Sequence, residues 1–314
     1  MFAELLLNVG ENIMKILITG AWKYTHNQLE KILSLGYDVV FLQNESDDIP
    51  CAYEEIGGVV CNNLFMHHNI EKFVSLKFIQ LTSAGFDRVP MEYINKHGIT
   101  VYNAKGVYSI PMAEYAINGV LQLYKKSEFF INNKKEHKWE KNRSLLELYQ
   151  KTVLIIGCGS VGTECAKRFD AFGCHVIGAD KILPSKACYE QVYCMDRLNE
   201  ALAVSDVVVI TLPLTQDTKN LIDENRLNSF KQGAILVNIA RGAIVNTKAL
   251  ILALENRLAG AVLDVFESEP LEENSPLWDM ENVIITPHNS FVGDNNSVRL
   301  FEVIYKNLSL EANV

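Results

Sequence analysis

Three glycines announce the first chemistry in this chain. Thr152-Val-Leu-Ile-Ile runs directly into Gly157-Cys-Gly159-Ser-Val-Gly162, an apolar strand that opens into a glycine-rich turn and then a helix. In that order each glycine has a mechanical task. Gly157 makes the tight turn, Gly159 lets the backbone approach a pyrophosphate, and Gly162 lets the helix pack against the strand. The helix N-terminus then offers unpaired N–H groups and partial positive charge to phosphate oxygens. The next apolar run, Cys174-His-Val-Ile-Gly-Ala, ends at Asp180, about where a carboxylate accepts hydrogen bonds from a ribose diol. Glycine spacing alone is a weak signal; with strand, helix and Asp180 in place it predicts a dinucleotide site.

Three later segments carry charge where packing alone requires none. In Val237-Asn-Ile-Ala-Arg-Gly-Ala-Ile-Val245, Arg241 follows an apolar strand, Leu263-Asp-Val-Phe-Glu-Ser-Glu-Pro270 follows another, and Ile285-Thr-Pro-His-Asn-Ser290 follows a third. Singly, each has a bland explanation. An arginine after a strand is usually at the surface, a Pro-His pair is usually a turn, and Glu267 with Glu269 could be a solvated acidic loop. The coincidence is what carries weight, because all three lie at strand C-termini, the edge of an open α/β sheet where ligands bind.

The elements that would position these residues alternate strictly between strand and helix. From Met14 the expected strands are 16–18, 38–42, 58–61, 78–81 and 99–102, with a helix over 27–35 and helical patches around Ile70 and Tyr93. A helix opens near Pro111, whose missing N–H costs nothing in a first turn, and runs to Tyr124. A polar interval over 125–143 then crosses the surface. Six further strands follow, over 153–156, 175–179, 207–210, 234–238, 260–263 and 283–285. Such alternation implies mostly parallel sheets covered by helices on both faces. The last helix, over 297–309, is left outside the second series and returns to the first. The expected fold is therefore α/β, with two doubly wound parallel-sheet domains. A substrate domain of flavodoxin type comprises 14–104 and 287–314, and a nucleotide-binding (Rossmann) domain, 105–286, is inserted into it with a cleft between them. Residues 1–13 read as a leader or over-extended start.

Composition narrows the function class. With 314 residues, 48% hydrophobic and 21% charged, the chain suits two folded domains rather than disorder. A formal net charge of −9 and no Lys/Arg run argue against a nucleic-acid partner. No apolar run approaches a membrane span. The seven cysteines show no metal-like spacing with histidine, so no metal is expected, and reduced thiols fit a cytoplasmic location.

Taken together, the motifs resemble those of the D-isomer-specific 2-hydroxyacid dehydrogenases, over essentially the whole length from Met14. The resemblance rests on Gly157–Gly162, Asp180, Leu212-Pro213-Leu214 with Thr218, Asn238-Ile239-Ala240-Arg241-Gly242, Asp264 through Pro270, and Thr286-Pro-His288. In the first domain it includes Ser83-Ala84-Gly85-Phe86-Asp87 and Met112-Ala-Glu114. It implies an NAD-dependent oxidoreductase that passes a hydride between NAD(H) and a small 2-hydroxy acid/2-oxo acid pair.

Roles follow from the same resemblance. Arg241 would hold the substrate carboxylate through a two-pronged fork that lysine lacks. His288 would exchange a proton with the carbonyl oxygen as hydride moves. Glu269, just before the proline, would pair with His288 and support its positive charge; Glu267 is the competing carboxylate. Ala84, Gly85, Phe86 and Tyr108 would contact substrate beside Arg241 and His288. Ser160, Val161, Leu212, Pro213, Thr218, Ile239, Ala240, Asp264 and Ser290 would contact cofactor, with Asp264 near the nicotinamide amide; Arg241 and His288 would border it.

Departures from the family pattern are Asn289-Ser290-Phe291 after His288, and Phe86, Lys105 and Tyr108 where the substrate side chain would lie. Leu81 stands where phosphoglycerate-handling relatives carry arginine. Lys181 leaves some NADP tolerance. A homodimer is implied, formed through residues 113–143. The alternative reading is an NAD(H)-sensing, corepressor-like interaction protein of the same fold.

Overall fold

The computed structural model describes residues 13–182 and 188–312; most of the expected leader lies outside them. The chain divides into two compact units. One runs to Val107 and resumes at Asp294, and the other is Tyr108–Gly293.

The first unit is built on a five-stranded parallel sheet. Its strands are β1 (Lys15–Thr19), β2 (Asp38–Leu42), β3 (Ile56–Cys61), β4 (Phe78–Leu81) and β5 (Thr100–Tyr102), in the order β2-β1-β3-β4-β5, the flavodoxin-like arrangement. Leu17, Val59, Cys61, Ile79 and Leu81 pack one face of it. The final helix, Asn296–Glu311, belongs to this unit. It is tied to the sheet by Tyr37 donating to the Leu308 carbonyl (2.7 Å), Asn307 donating to Gln80 (2.7 Å) and Tyr102 donating to Glu311 (2.7 Å).

The second unit holds a seven-stranded parallel sheet. Its strands are β6 (Thr152–Ile156), β7 (His175–Ala179), β8 (Gln191–Tyr193), β9 (Val207–Ile210), β10 (Ile235–Asn238), β11 (Gly260–Leu263) and β12 (Val283–Ile285). Their order is β12-β11-β10-β9-β6-β7-β8, so the direction of winding reverses between β6 and β9. Successive β6 side chains point to opposite faces, and those of Val153 through Ile156 are buried. Leu154 and Ile156 enter one core, with Leu198, Leu227 and Leu250 from the helices on that face. Val153 and Ile155 enter the other, with Ala116, Val120, Cys165 and Phe169. Burial on both faces explains why these strands read as continuous apolar runs rather than as alternating ones.

Two elements depart from expectation. The second sheet has seven strands rather than six, because Gln191–Tyr193 adds an edge strand too short to display period-two alternation. The polar interval over 125–143 contains a helix, Ser127–Lys135, in which only Asn133 is buried. With almost no buried face it carries no apolar stripe by which a helix is recognised.

Candidate active site

Within the second unit, the glycine-rich turn connects β6 to the helix Ser160–Ala171 at the point where the strand order reverses. Gly157 has φ +98, a conformation open to glycine. A methyl on Gly162 would lie 2.0 Å from the Gly157 carbonyl oxygen, so glycine there is a packing requirement. Gly159 differs. A methyl on it would meet nothing within 4 Å, so the chain itself leaves space beside this residue. The helix that starts at Ser160 has no side-chain cap and no acidic residue in its first turn, which leaves its N–H groups for a bound anion. Open space beside Gly159 and an uncapped, twelve-residue helix are the features a dinucleotide pyrophosphate requires, so the residues present fit such a cofactor.

Asp180 follows β7, and its oxygens accept from the Cys158 N–H (2.6 Å) and the Ile182 N–H (3.1 Å). The carboxylate is thereby pinned beside the fingerprint turn. Lys181 forms an ion pair with Asp217 at 2.6 Å, which holds the Asp217 carboxyl below its ordinary range. After β9, the Thr211 hydroxyl donates to the Gly157 carbonyl (2.6 Å). Thr218, 7% exposed, donates to the Pro213 carbonyl (2.7 Å) and closes the loop that carries Leu212 and Pro213.

The charged residues converge at the C-terminal ends of β10, β11 and β12. His288 Nδ1 lies 2.9 Å from Glu269 Oε2, both side chains being 37% exposed. The other Glu269 oxygen accepts from the Phe266 N–H at 3.0 Å, so the carboxylate is fixed before it meets the ring. Of the two candidate carboxylates, Glu269 is the one paired with the histidine. With Nδ1 committed, Nε2 is the ring nitrogen that can exchange a proton with a bound molecule.

His288 has φ +51, a left-handed conformation unusual outside glycine and a recurrent strain at functional positions. Its N–H donates to the carbonyls of Asp264 (2.8 Å) and Thr286 (3.0 Å), bonds that hold it there. Asp264 is fully buried. Its carboxylate accepts from the Thr286 hydroxyl (2.6 Å), the Asn289 N–H (2.7 Å) and the Ser290 N–H (2.9 Å), so it organises the backbone on either side of His288.

Arg241 sits in extended backbone at the start of the turn Gly242–Ile244, and its Nη1 donates to the Ala240 carbonyl at 2.8 Å. Asn238 accepts from the Ala240 N–H (3.1 Å) and donates to the Arg241 carbonyl (3.1 Å), fixing the bend. Ile239 and Ala240 are buried behind it. A methyl on Gly242 would fall 1.8 Å from the Phe266 carbonyl carbon. The arginine turn and the Asp264–Glu269 loop therefore touch backbone to backbone.

Arg241, Glu269, His288, Asp264 and Ser290 thus occupy adjoining loops of one sheet edge, on the same unit as the fingerprint. Tyr108 is on this unit too. Its ring meets Phe291 edge-on at 5.8 Å, and Phe291 in turn meets His288 at 6.1 Å. Ala84, Gly85 and Phe86 lie on the first unit, in the loop after β4. Asn103 donates to the Ala84 carbonyl there (2.7 Å), and Phe86 is exposed. Sequence reasoning named Asn238 and Gly242 only as part of a motif and assigned them no role, and it assigned none to Tyr115. For Gly242 a signal was available, since a glycine directly after a charged residue at a strand end marks close backbone approach. Tyr115 had none, being one apolar-periodic residue among many.

Residues 117–290 match the profile described as "D-isomer specific 2-hydroxyacid dehydrogenase, NAD binding domain". A D-3-phosphoglycerate dehydrogenase of Methanocaldococcus jannaschii is 36% identical over 222 residues, 70% of this chain but only 42% of that protein. A glyoxylate reductase of Thermofilum pendens is 34% identical over 248 residues, 74% of this chain and 71% of that protein. Among solved structures, a D-isomer specific 2-hydroxyacid dehydrogenase family protein from Aeromonas salmonicida superposes with a TM-score of 0.76. It is 30% identical and covers 92% of this chain and 93% of that one. The uncapped glycine turn, the Glu269–His288 pair and the Arg241 turn are thus set in a sequence and a fold shared with these proteins: the chain belongs to the D-isomer specific 2-hydroxyacid dehydrogenase family.

Proposed function

We propose that this chain reduces small 2-oxo acids to 2-hydroxy acids with NADH and catalyses the reverse oxidation with NAD. The observation that carries this reading is the His288–Glu269 pair at 2.9 Å, on adjoining loops with Arg241 and on the same unit as the dinucleotide turn. Bound NADH supplies the hydride. The chain's own residues do the rest. Arg241 holds the substrate carboxylate with its planar fork. His288 gives a proton from Nε2 to the carbonyl oxygen and takes it back in the oxidative direction. Glu269 orients the ring and balances its charge. Asp180 receives the adenosine ribose diol and repels a 2′-phosphate, and Lys181, drawn to Asp217, is a poor partner for that phosphate. Ala84, Gly85, Phe86 and Tyr108 are the proposed contacts to the rest of the substrate.

The proposal extends to assembly and location. Phe130, Ile131 and the almost fully exposed Trp139 support a homodimer formed through 113–143. Cysteines that are all free among the described residues suit the cytoplasm, and no described helix is long and apolar enough to cross a membrane.

The test is a panel of 2-oxo acids (glyoxylate, hydroxypyruvate, pyruvate, 2-oxoisocaproate and phosphohydroxypyruvate) assayed with NADH by loss of its absorbance. At least one should be turned over, and where the product is chiral (all but glycolate from glyoxylate) the hydroxy acid should be recovered as the D enantiomer. NADH binding with no reduction across the panel would overturn the enzymatic reading.

A further inference from the structure

A chain of hydrogen bonds reaches the His288 loop from a helix far from it in sequence. Tyr115 lies on the helix Ser109–Tyr124, 171 residues from Thr286 in sequence, and their hydroxyl oxygens are 2.5 Å apart. The Thr286 hydroxyl lies 2.6 Å from Asp264 Oδ1. Direction along the chain follows from donor inventory. A carboxylate can only accept, so the Thr286 proton is spent on Asp264, and Tyr115 must supply the proton of the first bond. Asp264, fully buried, passes the constraint on. Its two oxygens take the N–H groups of Asn289 and Ser290, the residues immediately after His288, and its backbone carbonyl takes the N–H of His288 itself. Ser290 is 3% exposed, so its bond to Asp264 is sheltered from exchange with water.

This arrangement answers a difficulty in the loop. His288 holds a left-handed backbone at φ +51, which a non-glycine residue leaves readily unless its neighbours over-determine it. Glu269 restrains the ring, but a side-chain contact cannot fix the peptide planes that aim it. The Asp264 carboxylate fixes them, and the Thr286 and Tyr115 hydroxyls fix the carboxylate against rotation within its cavity. The Tyr115 end of the relay stands on a helix packed into the sheet through Ala113, Ala116, Ile117 and Val120, so it is anchored to the core rather than to another loop.

We propose that Tyr115 is a positioning residue for His288, acting through Thr286 and Asp264; this rests on the reading of His288 as the proton donor. Such a residue governs how often Nε2 is aimed at the carbonyl oxygen, and so acts on kcat, while the carboxylate anchor at Arg241 and the pyrophosphate turn are untouched. A residue that merely packed the helix would change stability and leave that split absent.

The experiment compares Tyr115→Phe, Thr286→Val, Thr286→Ser and the double variant Tyr115→Phe/Thr286→Val in the full chain, on the best 2-oxo acid of the panel. Tyr115→Phe is expected to lower kcat about three- to tenfold with KM and NADH affinity within about twofold, since one buried hydrogen bond is worth about that much. Thr286→Val should lower kcat about ten- to a hundredfold, because it leaves a buried carboxylate short of a donor. Thr286→Ser, which keeps the hydroxyl, should restore most of it. The double variant should be no slower than Thr286→Val alone, because the two act in series. Amide hydrogen exchange of the 286–291 segment, read by mass spectrometry without substrate, should accelerate in Tyr115→Phe. Unchanged kcat and unchanged exchange in Tyr115→Phe, or strictly additive losses in the double variant, would overturn the relay. If wild type turns over a 2-oxo acid and His288→Ala does not, such a result removes the relay alone. If His288→Ala is as active as wild type, the reading of His288 itself has failed.

Discussion

At the scale of single residues the candidate site is a set of side chains held at both ends. His288 is gripped through Nδ1 by Glu269 and through its N–H by Asp264 and Thr286 carbonyls, which leaves one ring nitrogen for chemistry. Replacing His288 with alanine should therefore lower turnover by about two to four orders of magnitude, the usual contribution of a positioned proton donor. NADH affinity, measured by fluorescence titration, should stay within about twofold. Arg241→Lys keeps the charge but not the fork, and should raise KM for the 2-oxo acid while lowering kcat, since both ground-state and transition-state binding are lost. Full activity in either variant would mean that the reacting group lies elsewhere. On the proposed reading, Asp180 governs cofactor choice. The wild type should prefer NADH over NADPH by at least about tenfold, as a misplaced charge pair costs on the order of 1–3 kcal/mol, and Asp180→Ala should erase most of that preference. Equal kcat/KM with the two cofactors in wild type would sink the assignment.

At the scale of elements, the glycine turn separates two kinds of requirement that look alike in sequence. Gly162 is demanded by the chain itself, because its methyl would collide with the Gly157 carbonyl at 2.0 Å. Gly162→Ala should destabilise the protein by about 1–3 kcal/mol, visible as a lower melting temperature without any ligand. Gly159 has open space beside it and an ordinary φ of −74, so Gly159→Ala should melt like wild type. It should nevertheless bind NADH about tenfold or more weakly, because loss of a charge-assisted hydrogen bond costs about 1.5–3 kcal/mol. A Gly159→Ala protein with normal NADH affinity would show that the pyrophosphate does not sit at this turn. The same distinction applies at Gly242, where the constraint is contact with the Phe266 backbone rather than room for a ligand.

At the scale of the whole molecule, the two parallel sheets bury groups that resist ionisation. Burial pushes the Cys158 and Cys174 thiols up to about 11 and Cys165 up to about 12. It also pushes the hydroxyls of Tyr37, Tyr124 and Tyr189 well above their ordinary range. In the unfolded chain thiols lose their protons near the ordinary value of 9.0, so above that pH the unfolded state binds fewer protons than the folded one. Stability should thus be insensitive to these groups below about pH 9 and fall as pH rises from there toward 12. Melting temperature measured across that range checks the sign, and a melting temperature that rose above pH 9 would contradict it. Thiol labelling of the native protein at pH 8 should reach exposed Cys194 and spare buried Cys61 and Cys165, which should react only after unfolding.

The sequence by itself determined a great deal here, because parallel α/β sheets write their architecture locally. Continuous apolar runs marked β6, β7, β9, β10, β11 and β12 to within a residue, and glycine spacing marked the turn between β6 and the helix Ser160–Ala171. What has no side-chain period left no local trace: the short edge strand Gln191–Tyr193 and the helix Ser127–Lys135 with its single buried residue. Motif position alone also left Glu267 and Glu269 in competition until resemblance to the family favoured the residue before the proline. Only the tertiary structure shows which of the two carboxylates meets His288, since that depends on how the loop after β11 folds back over 19 residues of chain. Likewise Tyr115 reads as one more apolar-face residue in a helix. Its hydroxyl acquires a partner only when a sheet edge, 171 residues later, brings Thr286 to it. Patterns of period two and 3.6 reveal what a residue packs against, whereas contacts across such separations are fixed by the fold as a whole.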